Sequence, residues 1–209
     1  MRTISLIRRY ISLLPTDQLF TTRAVLRYGS RTAVDSALFR LVQSGRIRRV
    51  VRGVFIRDDY DRSHQPTVHE VARVKAESFG RQLACHGRQA AIQLGLLMDN
   101  LNETYTYAIR GHSSSFKFND LTIHFKKVSE RMMRAGDSKS GLVIRALWHL
   151  GFRACNRSTA LQATASFNRE DRSELHRLAG YMTAWMVDCF NWPVRCPPDL
   201  MRGRPAAFP

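Results

Sequence analysis

The sequence predicts an α+β fold in which three helices and a basic β-hairpin are followed by a mixed α/β segment. Three observations lead there. Apolar residues recur at helical spacing three times before residue 45. A β-branched run then turns at Arg52-Gly53. Beyond Thr67, helical stripes and alternating runs interleave.

Ile4, Leu6, Ile7, Tyr10, Ile11 and Leu14 form the first stripe, and Pro15 ends it. Phe20-Thr21-Thr22 starts a short second helix, with Thr21 as N-cap before Ala24, Val25 and Tyr28, and Gly29 as its C′ residue. Ser30 caps a third helix whose Ala33, Val34, Ala37, Leu38, Leu41 and Val42 share a face, and Gly45 stops it. Residues 46–57, RIRRVVRGVFIR, then read as a hairpin.

After the polar stretch DDYDRSHQP (58–66), a plausible linker, the pattern changes. Thr67–Gly80 reads as a capped amphipathic helix, Gln82–His86 as a short strand and Gly87–Gly95 as the opening of a helix. Thr104–Arg110 reads as a strand. Phe116 and Phe118, a tight turn at Asn119-Asp120, then Leu121, Ile123 and Phe125 make a second hairpin, with one apolar face and one cationic face carrying Lys117, His124 and Lys126. Ser138–Gly151 and Arg169–Phe190 complete the set as helices. The expected division is a first domain over 1–60, an α/β domain over 61–191 and a proline-rich, irregular tail over 192–209, which holds five of the seven prolines.

Charge narrows the function classes. The 209 residues carry 33 Lys+Arg against 17 Asp+Glu, a formal net charge of +16, and 28 of the cations are arginine. A small anion needs one or two arginines in a pocket, so the surplus favours a polyanion. The first 65 residues hold 13 arginines, no lysine and five acids, a net of +8; the other 144 carry the same net charge, so its density is about twice as high in the first segment. From Arg23 to Arg57 the only acid is Asp35.

No apolar stretch approaches the roughly 20 residues that span a bilayer, and Arg8 and Arg9 interrupt what would have to be a signal-peptide core. A cytoplasmic protein with no membrane partner is therefore expected. Cys85, Cys155, Cys189 and Cys196 form no C-x-x-C pair, which argues for incidental thiols over a zinc or redox site. Phosphate-loop, nucleophile-elbow, zinc-protease and dinucleotide signatures are missing. Gly111-His-Ser-Ser-Ser115 reads as a turn, and Glu170, Asp171 and Glu174 as a solvated helix face rather than a nuclease site. No enzyme activity, cofactor or metal is expected.

A short turn between helices two and three, followed by a basic hairpin, is the layout of a winged helix-turn-helix. Burial of Val34, Leu38 and Leu41 turns Arg31, Thr32, Asp35, Ser36, Phe39, Arg40 and Gln43 outward. Arg31, Thr32, Asp35 and Ser36, in the first turns, are placed to meet base edges, with Arg40 further along the helix; arginine suits guanine because its fork can donate to both O6 and N7. Arg46, Arg48, Arg49 and Arg52 on the hairpin would contact phosphates or a minor groove.

These residues also carry a family resemblance. The run from Phe20 to Phe55, above all GSRTAVDSALFRLVQSGRIRRVVRGVF, resembles the DNA-binding part of the AbiEi-like antitoxins, the antitoxin-repressors of abortive-infection type IV toxin–antitoxin systems. QAAIQLGL (89–96), the strand-plus-hairpin through Lys126 and LVIRAL (142–147) followed by Leu150-Gly151 are similar to that family too, so the likeness covers roughly residues 3–190. It implies a winged-helix domain that represses its own operon by binding duplex operator DNA. It further implies an α/β antitoxin domain that opposes a nucleotidyltransferase toxin without a stable complex, and no enzymatic residue. The size of the second segment leaves room for another class, an effector-sensing transcription factor with a small-ligand pocket there.

Overall fold

The computed structural model describes residues 2–15, 17–57, 65–98 and 104–192. Most of the expected linker and nearly all of the expected tail lie outside them. The fold is mixed α+β with two small sheets. Two compact units form, Met1–Leu83 with Glu103–Lys127, and Ala84–Asn102 with Val128–Pro209.

In the first unit, α1 (Thr3–Ser12), α2 (Thr22–Val25) and α3 (Arg31–Gln43) enclose a core with the first sheet. Two caps set α3. The Ser30 hydroxyl accepts from the Ala33 N–H (3.3 Å) at its start. At its end Gly45, at φ +67°, lets the Gly45 and Arg46 N–H groups bond back to Val42 and Leu41 (both 3.0 Å). Thr21 caps α2 as expected, accepting from Ala24 N–H (3.3 Å), but a strand precedes it: β1 (Leu19–Thr21). A 3₁₀ turn, Leu26–Tyr28, follows α2. Gly29 then has an extended backbone, not the left-handed C′ geometry; a Cβ there would lie 2.6 Å from Thr3 Oγ1, so close approach of α1 is what favours glycine.

The first sheet runs β1-β3-β2, all antiparallel, from β2 (Ile47–Val51) and β3 (Val54–Arg57). Phe20 pairs with Phe55 in register, their rings stacked at 5.7 Å, and these face the helices with Ile47. Leu19, Val51 and Val54 face the other way, into a second core. That core is supplied by α4 (Val68–Glu77), capped by a Thr67–Glu70 box, and by β5 (Thr104–Ile109), β6 (Ser114–Phe118) and β7 (Leu121–Lys127). The strands run β5-β7-β6, with β5 parallel and β6 antiparallel to β7, and β4 (Leu83–Cys85) lies at the β5 edge. Asn119, at φ +52°, makes the expected two-residue turn between β6 and β7. The linear boundary at residue 60 follows charge density. Packing crosses it, because a sheet that is apolar on both faces draws α4 and the second hairpin into the first unit.

The second unit is helical: α5 (Gly87–Gln93), α6 (Glu130–Arg134), α7 (Lys139–Leu150), α8 (Arg157–Ala163), α9 (Arg169–Arg177) and α10 (Ala184–Cys189). Its core gathers Val143, Ile144 and Leu147 of α7 with Phe167, Leu175, Met182 and Met186. Arg145 is fully buried, donating to Asp137 Oδ1 (2.9 Å) and to the Gly136 carbonyl. Burial lowers its pKa and the Asp137 carboxylate pulls it back up. The single helix expected over Arg169–Phe190 is broken instead. A 3₁₀ turn spans Leu178–Tyr181, Met182 and Thr183 are extended, and the Arg131 guanidinium donates to the carbonyls of Gly180 (3.3 Å), Tyr181 (3.0 Å) and Met182 at the break.

Two substitutions test this packing. Phe55→Ala removes the ring that ties the sheet to the helical core and should cost about 3–5 kcal/mol in urea unfolding. In the second unit a Cβ on Gly87 would sit 2.5 Å from the Arg145 carbonyl oxygen and 2.6 Å from His149 Cβ. Gly87→Ala should therefore destabilise, by about 1–3 kcal/mol for an overpacked contact, despite alanine's better helix propensity; a stabilised variant would contradict the close α5–α7 approach.

Candidate nucleic-acid interface

The caps and stripe of α3 decide which of its side chains face water. Val34, Ala37, Leu38 and Leu41 are buried, while Arg31, Thr32, Asp35, Ser36, Phe39, Arg40 and Gln43 are exposed. Arg31 Nε donates to Asp35 Oδ2 at 2.8 Å, with both side chains more than half exposed. That pair spends the one acid of the surface on one nitrogen of the guanidinium and leaves its two terminal amino groups for other acceptors. Phe39 lies 64% exposed on the same helix.

The hairpin divides the four arginines assigned to it. Arg46, Arg49 and Arg52 are exposed. Arg48 is half-buried, which removes it from a purely outward row. On the edge strand β2, Arg48 pairs with Ile56 and Arg49 with Phe55 of the central β3, so the two arginines lie on opposite faces of the sheet, and a register shift between Arg49 and Val51 breaks the alternation. Arg57 serves the fold, donating to the carbonyls of Ser12 (3.3 Å) and Leu14 (3.2 Å). Arg23 likewise donates to the Ser78 carbonyl (3.0 Å).

The hairpin tip carries a positive field. Lys75 on α4 donates to the Arg52 carbonyl (2.8 Å) and stands 5.0 Å from the centre of the Phe116 ring. Its pKa is lowered, first by burial and then by the guanidinium groups of Arg52 and Arg49. On the second hairpin Lys117, Lys126 and Lys127 are exposed and His124 is half-buried.

Sequence pattern alone missed Arg2, Arg8 and Arg9. Arg2 lines a groove of about 440 Å³ with Thr32, Ser36 and Arg40. Arg8 and Arg9 line a cleft of about 420 Å³ with Arg46 and Arg57. No spacing rule signals these, because Arg2 precedes α1 and Arg8 and Arg9 lie on it, so they meet the others only through the docking of α1. Among the described residues no group of three or more His, Cys, Asp or Glu could hold a metal. Asp171, one of three acids noted on α9, is its N-terminal capping partner, accepting from Asn168 N–H (3.2 Å) and Lys139 Nζ (3.2 Å). The Asn168 bond, first, and then Lys139 hold its pKa below the usual carboxylate range.

The comparison with protein families decides the relationship. Residues 7–175 match a family of unknown function, DUF6088. The chain belongs to that family. No curated protein matches it. The DUF6088 match takes in α3, the first hairpin and most of the second unit, so the exposed arginine surface lies within the family region. No described helix of this DUF6088 chain is long and apolar enough to cross a membrane.

Thiol chemistry can be tested directly. Burial pushes the Cys155 thiol up to about 11, and it raises Cys85 and Cys189 as well. At pH 8 only about one Cys155 in a thousand is then a thiolate. Mass-mapped alkylation at pH 8 should leave Cys155 unmodified in the folded protein and label it readily in urea. Fast labelling of the folded protein would mean that the site is open and its thiol activated.

Proposed function

We propose that this protein is a DNA-binding transcriptional repressor, with α1–α3 and the first hairpin acting as a winged helix-turn-helix on duplex DNA. The observation that carries the reading is the exposed face of α3, where Arg31, Thr32, Ser36 and Arg40 stand clear of the core and the only acid, Asp35, is already paired. α3 enters the major groove by its capped N-terminal end. The Asp35 pair holds the Arg31 fork in one orientation, so its terminal N–H groups can address O6 and N7 of guanine together. Phe39 offers an apolar surface of the kind that packs on a thymine methyl group. Arg46, Arg49 and Arg52 neutralise phosphates beside the groove, and Arg2 adds a cation next to Thr32 and Ser36.

The resemblance of Phe20–Phe55 to AbiEi-like antitoxins extends the proposal. The protein represses its own operon and acts as the antitoxin of a type IV system, opposing a nucleotidyltransferase toxin without a stable complex. A solvated charged face is the plainer reading of an arginine-rich surface, but such faces interleave acids, and between Arg23 and Arg57 this one has a single acid.

Gel-shift titration against DNA from upstream of its own gene tests the repressor reading. That DNA should bind more tightly than random duplex, with a log–log salt slope of about −0.9 per phosphate neutralised. Arg31→Ala should relax discrimination at one base pair by about 1–3 kcal/mol, and Arg49→Ala should weaken all duplexes alike and reduce the slope by about 1. Equal affinity for upstream and random DNA would contradict the proposal.

A further inference from the structure

We propose a second, separate ligand site in the helical unit: a groove between α8 and α9 that takes a nucleotide unit, phosphate on arginine and base on an aromatic wall. The groove has a volume of about 430 Å³. It is built from two helix faces with the same spacing. Residues 157, 160, 161 and 164 of the α8 segment line one side, and residues 169, 172, 173 and 176 of α9 line the other. Spacings of three and four place each set on one side of its helix, so the two stripes form opposing walls.

The chemistry of those walls is unequal in sign. Arg157, Arg169 and Arg172 line the groove, all three are exposed, and among the described residues no carboxylate lines it. On the same helix, Asp171 directs its carboxylate to Asn168 N–H and Lys139 Nζ. Three guanidinium groups without a lining acid favour a phosphate, which accepts two parallel N–H bonds from each fork.

An aromatic wall supplies what a simple anion site would not need. Phe190 and Trp192 stack at 4.7 Å with their planes 19° apart, and His176 lies 5.2 Å from the Trp192 ring. Leu175 is buried beneath the groove and Leu161, at its rim, is 59% exposed. A cationic groove beside aromatic and apolar surface is the combination that holds a base and its phosphate together, because stacking accepts any base while arginine tracks the backbone. A free mononucleotide and one unit of a single strand share this chemistry. The groove lies within the second unit, whereas α3 and the first hairpin belong to the first, so the inference stands independently of the duplex-binding proposal.

All three tryptophans, Trp148, Trp185 and Trp192, fall in the second unit, so intrinsic fluorescence of the full-length protein reports on this site and not on α3. The probes are adenosine monophosphate and a ten-residue oligothymidylate. Saturable quenching by the mononucleotide supports a free-nucleotide ligand, and quenching by the oligonucleotide alone supports a single strand. In either case Arg169→Ala/Arg172→Ala should raise the apparent Kd at least tenfold, with far-UV circular dichroism unchanged. The milder Arg172→Gln should raise it several-fold, and Trp192→Leu should weaken binding and remove most of the quench. Quenching by neither probe, or the same Kd in the arginine variants as in the parent protein, overturns the assignment.

Discussion

The three-stranded sheet of the first unit is apolar on both faces, and the arrangement of that unit depends on it. Phe20, Phe55 and Ile47 close the core under α1, α2 and α3. Leu19, Val51 and Val54, on the same strands, close the core of α4 and the second sheet. Because side chains alternate along a strand, three short strands serve two cores at once, and any shift in register would turn one apolar set into the other core. The hairpin is therefore a clamped element, and its arginines reach water only at its start, its tip and its edge strand.

That clamp decides how the charge is used. Arg48 and Arg57 are drawn into the fold, Arg57 by carbonyls of α1 and the turn after it. Arg46, Arg49 and Arg52 stay outside, and the guanidinium groups of Arg52 and Arg49 add to the lowering of Lys75 that burial causes. On α3 the two caps fix where the helix starts and stops, and therefore which residues lie on its outward face. A rigid, pre-formed face loses little conformational freedom on binding, which favours affinity at a given contact area. The arginine excess is in this way divided between structural anchors and an exposed surface.

What was legible in the sequence was mostly local. Ser30, Gly45, Thr21 and Thr67 each act within a few residues of themselves, and their caps and turns stand where those residue types ask for them. The outward residues of α3 follow from the same helical period. What was not legible depends on partners far along the chain. β1 is three residues long and exists because it pairs with β3, more than 30 residues away. The carbonyls at the break after α9 are met by Arg131, about 50 residues earlier. Arg48 is half-buried on the sheet face it shares with Ile56, a face set by pairing with β3, and Arg2 joins the α3 surface only once α1 has docked. Charge density and the compact units divide the chain differently, since charge counts surface residues whereas packing follows the apolar faces of the sheet.

The central claim is that a duplex is met by the first turns of α3 together with the exposed hairpin arginines. Amide and side-chain NMR shifts of the full-length protein, followed while a duplex from upstream of its gene is added, test it residue by residue. The account predicts the largest changes at Arg31, Thr32, Asp35 and Ser36 and at Arg46, Arg49 and Arg52, with the buried Val34 and Leu38 moving less. Changes confined to the second unit, or no changes on duplex addition, would contradict it.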